Sequence, residues 1–584
     1  MEPLTPNAER VLEARYLARD AAGRIAEDWD GLCRRVARGV AAAERELGGD
    51  AARFEEACFE ALRNREFLPN SPTLMNAGTE IGQLAACFVL PVEDTLESVF
   101  EALKRMAVIH QSGGGTGFCF SSLRPAGDTV QGTPGVASGP VAFMGVFDAA
   151  TAVVKQGGRR RGANMGVLRI DHPDVVEFVR AKADRQHLTN FNISLTATDR
   201  FFEAVLAGRD FELVNPRDGR AVRSLDARWL LDEIAHYAWA TGDPGLIFID
   251  AVNRANPTPQ LGPLTATNPC GELPLLPNEA CNLGSLRLDA FARAGGIDWE
   301  ALDRAVDLAV RFLDDVIEAS RYPFAEISAT VRGNRKIGLG VMGFADLLVE
   351  LGIPYDDAAA VALGERLMAR IHARAEAASA QLAVERGPFP NWAGSRAAAR
   401  GLRLRNATVT SIAPTGTISI LAGCAGGIEP LFALAFVRHV LDGQRLAEIN
   451  PRFESALRRS GAWSEALVRR VRTEGSARAV PELPESIRRL FPTAYDVAPA
   501  QHLEVQQAFQ RHVDNAVSKT INLPHEATPG DVREIFLSAW RRGLKGVTVF
   551  REGSKGAAVL VRGEGGALEV PDHYAGDCSD ALCG

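Results

Sequence analysis

The chain has 584 residues, 46% of them hydrophobic and 24% charged, with a formal net charge of −8. This balance excludes a disordered or fibrous protein and supplies apolar material for a large core, in three or four ordinary domains or one dominant α/β barrel. The acidic net charge weighs against a nucleic-acid polymer as partner, which needs a broad basic face, while a small anionic ligand needs only a local site.

The first ten residues, MEPLTPNAER, carry neither the basic start nor the apolar stretch of a signal peptide, and no run of about 18 apolar residues follows. No membrane association and a cytoplasmic location are therefore expected. Residues 1–66 are rich in Ala, Arg and Glu, with Phe54, Cys58 and Leu62 at helical spacing, and predict an N-terminal helical region. From 67 to 555 helical patterns, such as Leu302, Val306, Leu313, Val316 and Ile317, alternate with short apolar runs such as GVLRI (166–170) and GVTVF (546–550). That alternation predicts an α/β fold with parallel sheet. Glycine-rich loops interrupt it: SGGGTGF (112–118), KQGGRRRGANMG (155–166) and PTGTIS (414–419).

Glycine lets backbone N–H groups approach an anion closely, so phosphate binding is one reading of these loops. PTGTIS follows the β-branched run ATVTSIA (407–413), which puts Thr415, Gly416, Thr417 and Ser419 at a strand's carboxyl end; an ordinary strand-to-helix turn is the alternative. Lys155 and Arg159 to Arg161 suit either a nucleotide contact or a solvated basic loop. Between prolines in LTATNPCGELPLLPNEACNLGSL (264–286), Asn268, Cys270 and Glu272 occupy alternate positions. In an extended segment these share one side, gathering an amide, a thiol and a carboxyl group. A buried cysteine flanked by loop polar residues is the competing reading.

The nine cysteines are too scattered for a secreted disulfide framework, and no CxxC…CxxC or HExxH pattern supports a metal site. The last part, 556–584, has little apolar pattern and predicts a flexible tail; Cys578 and Cys583 in it suit a redox pair.

NPCGE followed by ACNLGS resembles the active-site finger loop of ribonucleotide reductases. Further blocks are similar in the same order: FLPNSPTLMNAGT (67–79), QLAACFVLPVEDT (83–95), SGGGTGFCFSSLRPAGD (112–128), RRRGANMGVL (159–168), APTGTISILAGCAGGIEPLFALA (413–435), AVSKTINLP (516–524) and GLKGVTVFREGS (543–554). The resemblance implies a ten-stranded α/β barrel, usually homodimeric, with the finger loop carrying Cys270 to its centre. It also implies site roles. Cys270 matches the thiyl-radical cysteine that takes hydrogen from C3′ of the ribose, Glu272 the base for the 3′-hydroxyl, and Asn268 the amide that positions the substrate's hydroxyls. Cys87 and Cys281 match the thiols that reduce the ribose and end as a disulfide, which requires their Cα atoms to lie within about 7 Å. Thr415, Gly416, Thr417, Ile418 and Ser419, with Ser71, match the substrate-phosphate cradle. Asp94, Lys155 and Gln156 resemble the site of a deoxynucleotide specificity effector. Cys578 and Cys583 match a shuttle that passes electrons from thioredoxin or a similar reductant.

Within that family the radical source divides the members. The oxygen-dependent type carries an adjacent tyrosine pair before its tail, whereas Tyr16, Tyr237, Tyr322, Tyr355, Tyr495 and Tyr574 stand apart here. The glycyl-radical type lacks the reducing cysteine pair and ends in an Arg-Val-Cys-Gly-like site, which this chain does not have. The resemblance therefore implies adenosylcobalamin, bound with its own base in the absence of an Asp-x-His-x-x-Gly motif. It implies ribonucleoside diphosphates as substrates, and no ATP-cone precedes Phe67. An oxygen-dependent large subunit needing a metal-bearing partner, and a non-catalytic nucleotide-binding paralogue, are the alternatives.

Overall fold

The computed structural model describes residues 3–129, 136–156, 160–440, 444–554, 561–562 and 568–570. At its centre lies a ten-stranded sheet. In chain order the strands are β1 (Phe67–Pro69), β2 (Cys87–Leu90), β3 (Gly115–Cys119), β4 (Asn164–Arg169), β5 (Phe191–Ala197), β6 (Gly245–Phe248), β7 (Glu279–Arg287), β8 (Ile337–Met342), β9 (Thr520–Leu523) and β10 (Gly546–Arg551). Strands β2 to β6 form one parallel run. A second run holds the parallel pairs β7–β8 and β9–β10. The two runs meet antiparallel at β2–β7 and at β6–β10, while β1 lies against the far end of β7.

Residues 408–412 close the ring, pairing Thr410 with Leu339 of β8 on one side and Ile412 with Val517, just before β9, on the other. Closure removes the free sheet edges that would otherwise expose unpaired backbone groups. The expected ten-stranded α/β barrel is the architecture found.

Strand alternation splits the apolar residues into two cores. Outward residues such as Phe88, Phe118 and Leu168 join the main core under the helices. Inward residues, including Cys87, Val89, Met165, Val167, Cys281 and Leu283, form a smaller core inside the barrel with Leu273 and Leu275. The glycines of residues 112–118 serve this interior. A Cβ on Gly117 would lie 1.8 Å from the Thr267 carbonyl oxygen, and one on Gly115 would lie 3.0 Å from Pro269 Cγ. Glycine at these positions makes room for the segment threaded through the barrel.

The N-terminal residues form the expected helices, among them Trp29–Glu46 and Ala51–Arg63. Each starts on an aspartate cap: Asp28 accepts from Gly31 N at 2.8 Å and Asp50 from Arg53 N at 3.1 Å. Phe54, Cys58 and Leu62 face inward, and helix Trp299–Ala319 buries Leu302, Val306, Leu313, Val316 and Ile317 as the spacing predicts. Among the described residues no helix is long and apolar enough to cross a membrane.

A buried ionic joint fixes the N-terminal helices to the barrel. Glu44 accepts from Arg311 Nη2 at 2.8 Å and also binds Arg386, which in turn reaches Asp315 at 2.7 Å. Burial and the hydrogen bond shared with Glu44 push the Asp315 carboxyl up to about 8, against the pull of Arg386. A carboxyl raised in the folded state contributes stability that is complete below its ordinary value and lost as pH rises through the folded value. Asp315→Asn should therefore lie closest to the parent near pH 4 and gain on it as pH rises to 9, by roughly 1–3 kcal/mol. Melting curves at the two pH values check this; equal losses in parent and variant would contradict it.

Candidate active site

The segment between β6 and β7 enters the barrel as a hairpin, Ala266–Thr267 paired antiparallel with Pro274–Leu275. Its tip is a turn rather than extended chain. Gly271 N donates to Asn268 O at 3.1 Å, and Leu273 N donates to the Asn268 side-chain oxygen at 3.0 Å. Gly271 takes φ +81°, a left-handed conformation that glycine adopts without strain. Three barrel elements hold the tip. Asn192 Nδ2 of β5 donates to Pro269 O at 3.0 Å, while Ser411 Oγ and Ala516 N donate to Glu272 O at 3.0 and 2.9 Å. Asn268, Cys270 and Glu272 all line one cleft of about 730 Å³. They converge as the spacing predicts, but through a pinned turn in place of strand alternation.

Cys87 and Cys281 are 194 positions apart in sequence, and only the fold joins them. They are direct register partners across the antiparallel β2–β7 pair. Opposed residues of such a pair have Cα atoms roughly 4.5–5.5 Å apart, within disulfide reach. Neither thiol is in a disulfide, and both are buried. Asn268 Nδ2 donates to Cys87 Sγ at 3.1 Å, tying the finger tip to this pair. Cys281 Sγ lies 3.5 Å from the carbonyl oxygens of Asn282 and Lys336. Burial pushes the Cys281 thiol far up, so it stays protonated at neutral pH.

The opposite wall of the cleft is residues 414–418. Thr415, with φ +57°, starts the helix Gly416–Ala422, and Thr415, Gly416, Thr417 and Ile418 line the cleft beside Asn70 and Ser71. The Thr415 hydroxyl is engaged within the protein, accepting from Gly427 N at 2.8 Å. Ser419 departs from expectation. It does not line the cleft, because one further residue turns its side chain back along the helix, where Oγ donates to Gly416 O at 3.3 Å. Ser71 Oγ shares a 2.7 Å hydrogen bond with the Tyr16 hydroxyl, which joins the N-terminal region to the cleft rim.

Asp94 lines neither this cleft nor the next; its carboxylate accepts from Arg124 N at 3.1 Å and from Arg124 Nε at 2.8 Å. Lys155 and Gln156 form a short antiparallel ladder with Arg160–Arg161. Cys578 and Cys583 lie outside the described residues.

A second cleft, of about 570 Å³, lies against the finger tip. Cys270 and Pro269 line both clefts, and the second is walled by small and polar residues, among them Gly242, Gly245, Gly546, Ser194, Ser518 and Thr548. Asn192, Ser411 and Lys519 belong to this assembly and carry no local sequence signal. Their partners come from distant segments, although Lys519 falls within the similar block 516–524.

Comparison with known proteins agrees with this fold. The family model described as "Ribonucleotide reductase, barrel domain" matches residues 85–404 and 399–550, and "Ribonucleotide reductase, all-alpha domain" matches 2–82. A vitamin B12-dependent ribonucleoside-diphosphate reductase of Mycobacterium tuberculosis is 53% identical over 93% of this chain and 79% of its own length. A protein of the same description from Thermoplasma acidophilum is 45% identical over 94% of this chain and 79% of its own length. Among solved structures, an Actinobacillus ureae class Id ribonucleotide reductase alpha subunit superposes with a TM-score of 0.77, covering 94% of this chain and 97% of that one at 22% identity, which speaks to fold alone.

Proposed function

The chain belongs to the ribonucleotide reductase family, and from that premise we infer that it reduces ribonucleoside diphosphates to 2′-deoxyribonucleotides with adenosylcobalamin as its radical source. The observation that carries the reading is the cleft itself. It places Cys270, Glu272 and Asn268 beside Cys87, whose register partner is Cys281, opposite the 414–418 loop.

In this reading the 414–418 loop and Ser71 bind the diphosphate and hold the ribose at the finger tip. Cys270, as thiyl, takes the hydrogen atom from C3′ and returns it at the end. Glu272 accepts the 3′-hydroxyl proton, and Asn268 orients the hydroxyls while holding Cys87. The Cys87–Cys281 pair supplies one proton to the departing 2′-hydroxyl, which leaves as water, and the second proton with two electrons to the sugar, where C2′ gains its hydrogen, ending as a disulfide. A thiol held protonated at Cys281 suits that donation.

The second cleft fits the adenosyl end of the cofactor: it opens onto Cys270, and its glycines and hydroxyl side chains leave room and hydrogen-bonding groups for a nucleoside. When bound, the cofactor supplies one-electron chemistry able to remove a hydrogen atom from a thiol. Ser194, Ser518 and Thr548 would hold it.

The family's homodimer is supported by exposed apolar residues on two helices. Leu96 and Phe100 on Leu96–Gln111 are 60% and 51% exposed, and Val153 on Pro140–Val153 is 79% exposed. Contiguous exposed apolar surface marks association. We further assign a deoxynucleotide effector to Asp94, Lys155 and Gln156, a cytoplasmic setting, and a thioredoxin-type reductant acting through Cys578 and Cys583.

One experiment tests the reductive half. A single turnover of the prereduced protein should leave one Cys87–Cys281 disulfide per deoxynucleotide, read by peptide mass spectrometry. The Cys578→Ser, Cys583→Ser double variant should stop at that point with thioredoxin and resume with dithiothreitol, by thiol–disulfide exchange. Product formed without the Cys87–Cys281 bond would exclude the proposed pair, and an unchanged thioredoxin-driven rate in the double variant would exclude the tail as shuttle.

A further inference from the structure

The wall of the second cleft contains a lysine that the reaction above does not use. Lys519 immediately precedes β9, lines that cleft together with Cys270, and has a side chain that is 0% exposed. Its ammonium meets three groups: the Glu429 carboxylate, His502 Nδ1 at 2.9 Å and Thr520 O at 3.0 Å. An ammonium has three protons, so these partners satisfy it. His502 Nε2 lies 3.1 Å from Ala494 O, which assigns its proton to Nε2 and leaves Nδ1 as the acceptor facing Lys519.

Glu429 passes the constraint on. Its other oxygen accepts from Thr520 N at 2.8 Å, so both oxygens are tied to the start of β9. Its own N–H donates to Gly426 O at 3.0 Å, within the turn that braces the phosphate loop. In that turn Gly427 N donates to the Thr415 hydroxyl at 2.8 Å. The fit is close: a Cβ on Gly426 would lie 2.7 Å from Pro414 O, and one on Gly427 would lie 2.9 Å from Ala413 O. Thr415 is a non-glycine residue in the left-handed region, a conformation that persists only where its surroundings enforce it.

We propose that Lys519 and Glu429 are positioning residues that hold the phosphate cradle in shape from the wall of the second cleft, through the Gly426–Gly427 turn and Thr415. The inference rests on the reading of residues 414–418 as the diphosphate cradle. The chain of contacts reaches from a residue lining one cleft to a residue lining the other, and each link is a hydrogen bond or a close backbone contact. It gives the substrate loop a support independent of Cys270, Glu272 and the reducing pair.

The test removes the buried pair together, since deleting one partner alone strands a buried charge. Binding of a ribonucleoside diphosphate, of pyrophosphate and of the unphosphorylated nucleoside is measured by calorimetry on the full chain, with kcat and KM alongside. In Lys519→Met with Glu429→Gln, the diphosphate and pyrophosphate should bind about tenfold more weakly, as expected for loss of a charged hydrogen-bonded support. Nucleoside affinity should stay within about twofold, an outcome that general damage would not give. Diphosphate affinity equal to that of the parent, or a parallel loss of nucleoside affinity, would overturn the proposal. Combined with Thr415→Val, the Lys519→Met, Glu429→Gln pair should lose no more phosphate affinity than the larger of the two separate effects, whereas additive losses would break the proposed link. A parent protein that binds the diphosphate without competition from pyrophosphate would instead refute the cradle reading itself.

Discussion

Cys270→Ser is expected to abolish turnover while nucleotide binding stays within a few-fold of the parent. The residue sits at the tip of a hairpin whose shape is fixed by Asn192, Ser411 and Ala516 and by the left-handed Gly271, none of which depends on the thiol. Serine therefore takes the same place. Its O–H bond is too strong to give up a hydrogen atom in the relay, whereas the S–H bond of cysteine is weak enough. Residues 414–418, the proposed diphosphate cradle, line the other wall of the cleft, so affinity should survive. Rapid-quench assays and equilibrium binding on one preparation check both halves. Measurable multiple turnover would remove Cys270 from the centre of the chemistry.

Glu272→Gln should fold and bind but reduce slowly, because a positioned general base typically contributes about 10²–10⁴-fold. The backbone of Glu272 is the pinned part: its carbonyl receives Ser411 Oγ and Ala516 N. The amide keeps the side-chain size and leaves those bonds intact, so the loss falls on kcat. A variant with full kcat would assign the base elsewhere, and one that failed only in KM would make Glu272 a binding residue.

The barrel and its central chemistry were legible in the sequence for identifiable reasons. Alternation of helical spacing with runs such as GVTVF predicts parallel sheet, and both examples quoted, GVLRI and GVTVF, overlap barrel strands β4 and β10. The cluster of Asn268, Cys270 and Glu272 was also legible, although from spacing that suggested an extended chain. What gathers the three is a turn closed by the Asn268 side chain, whose amide at the same time reaches Cys87.

Long-range pairing was beyond local reading. Nothing within either segment says that Cys87 faces Cys281; the antiparallel junction of the two half-barrels decides it. Likewise, residues 112–118 read as a phosphate loop because glycine permits close approach, but what approaches Gly115 and Gly117 is the protein's own finger. Ser419 fits the similarity block but does not line the cleft, its hydroxyl donating to Gly416 O within its own helix. The roles of Lys519 and Glu429 depend on a contact across 90 positions, which no periodicity encodes.

The central claim is that this one chain carries out ribonucleotide reduction with adenosylcobalamin. An anaerobic assay of the purified chain with adenosylcobalamin, a small dithiol and a deoxynucleotide effector, offered ribonucleoside di- and triphosphates separately, tests it most directly. The expected product is deoxyribonucleoside diphosphate, formed at a rate that requires the cofactor and no second protein. Activity that ignored adenosylcobalamin and appeared only on adding a metal-bearing radical subunit would contradict it.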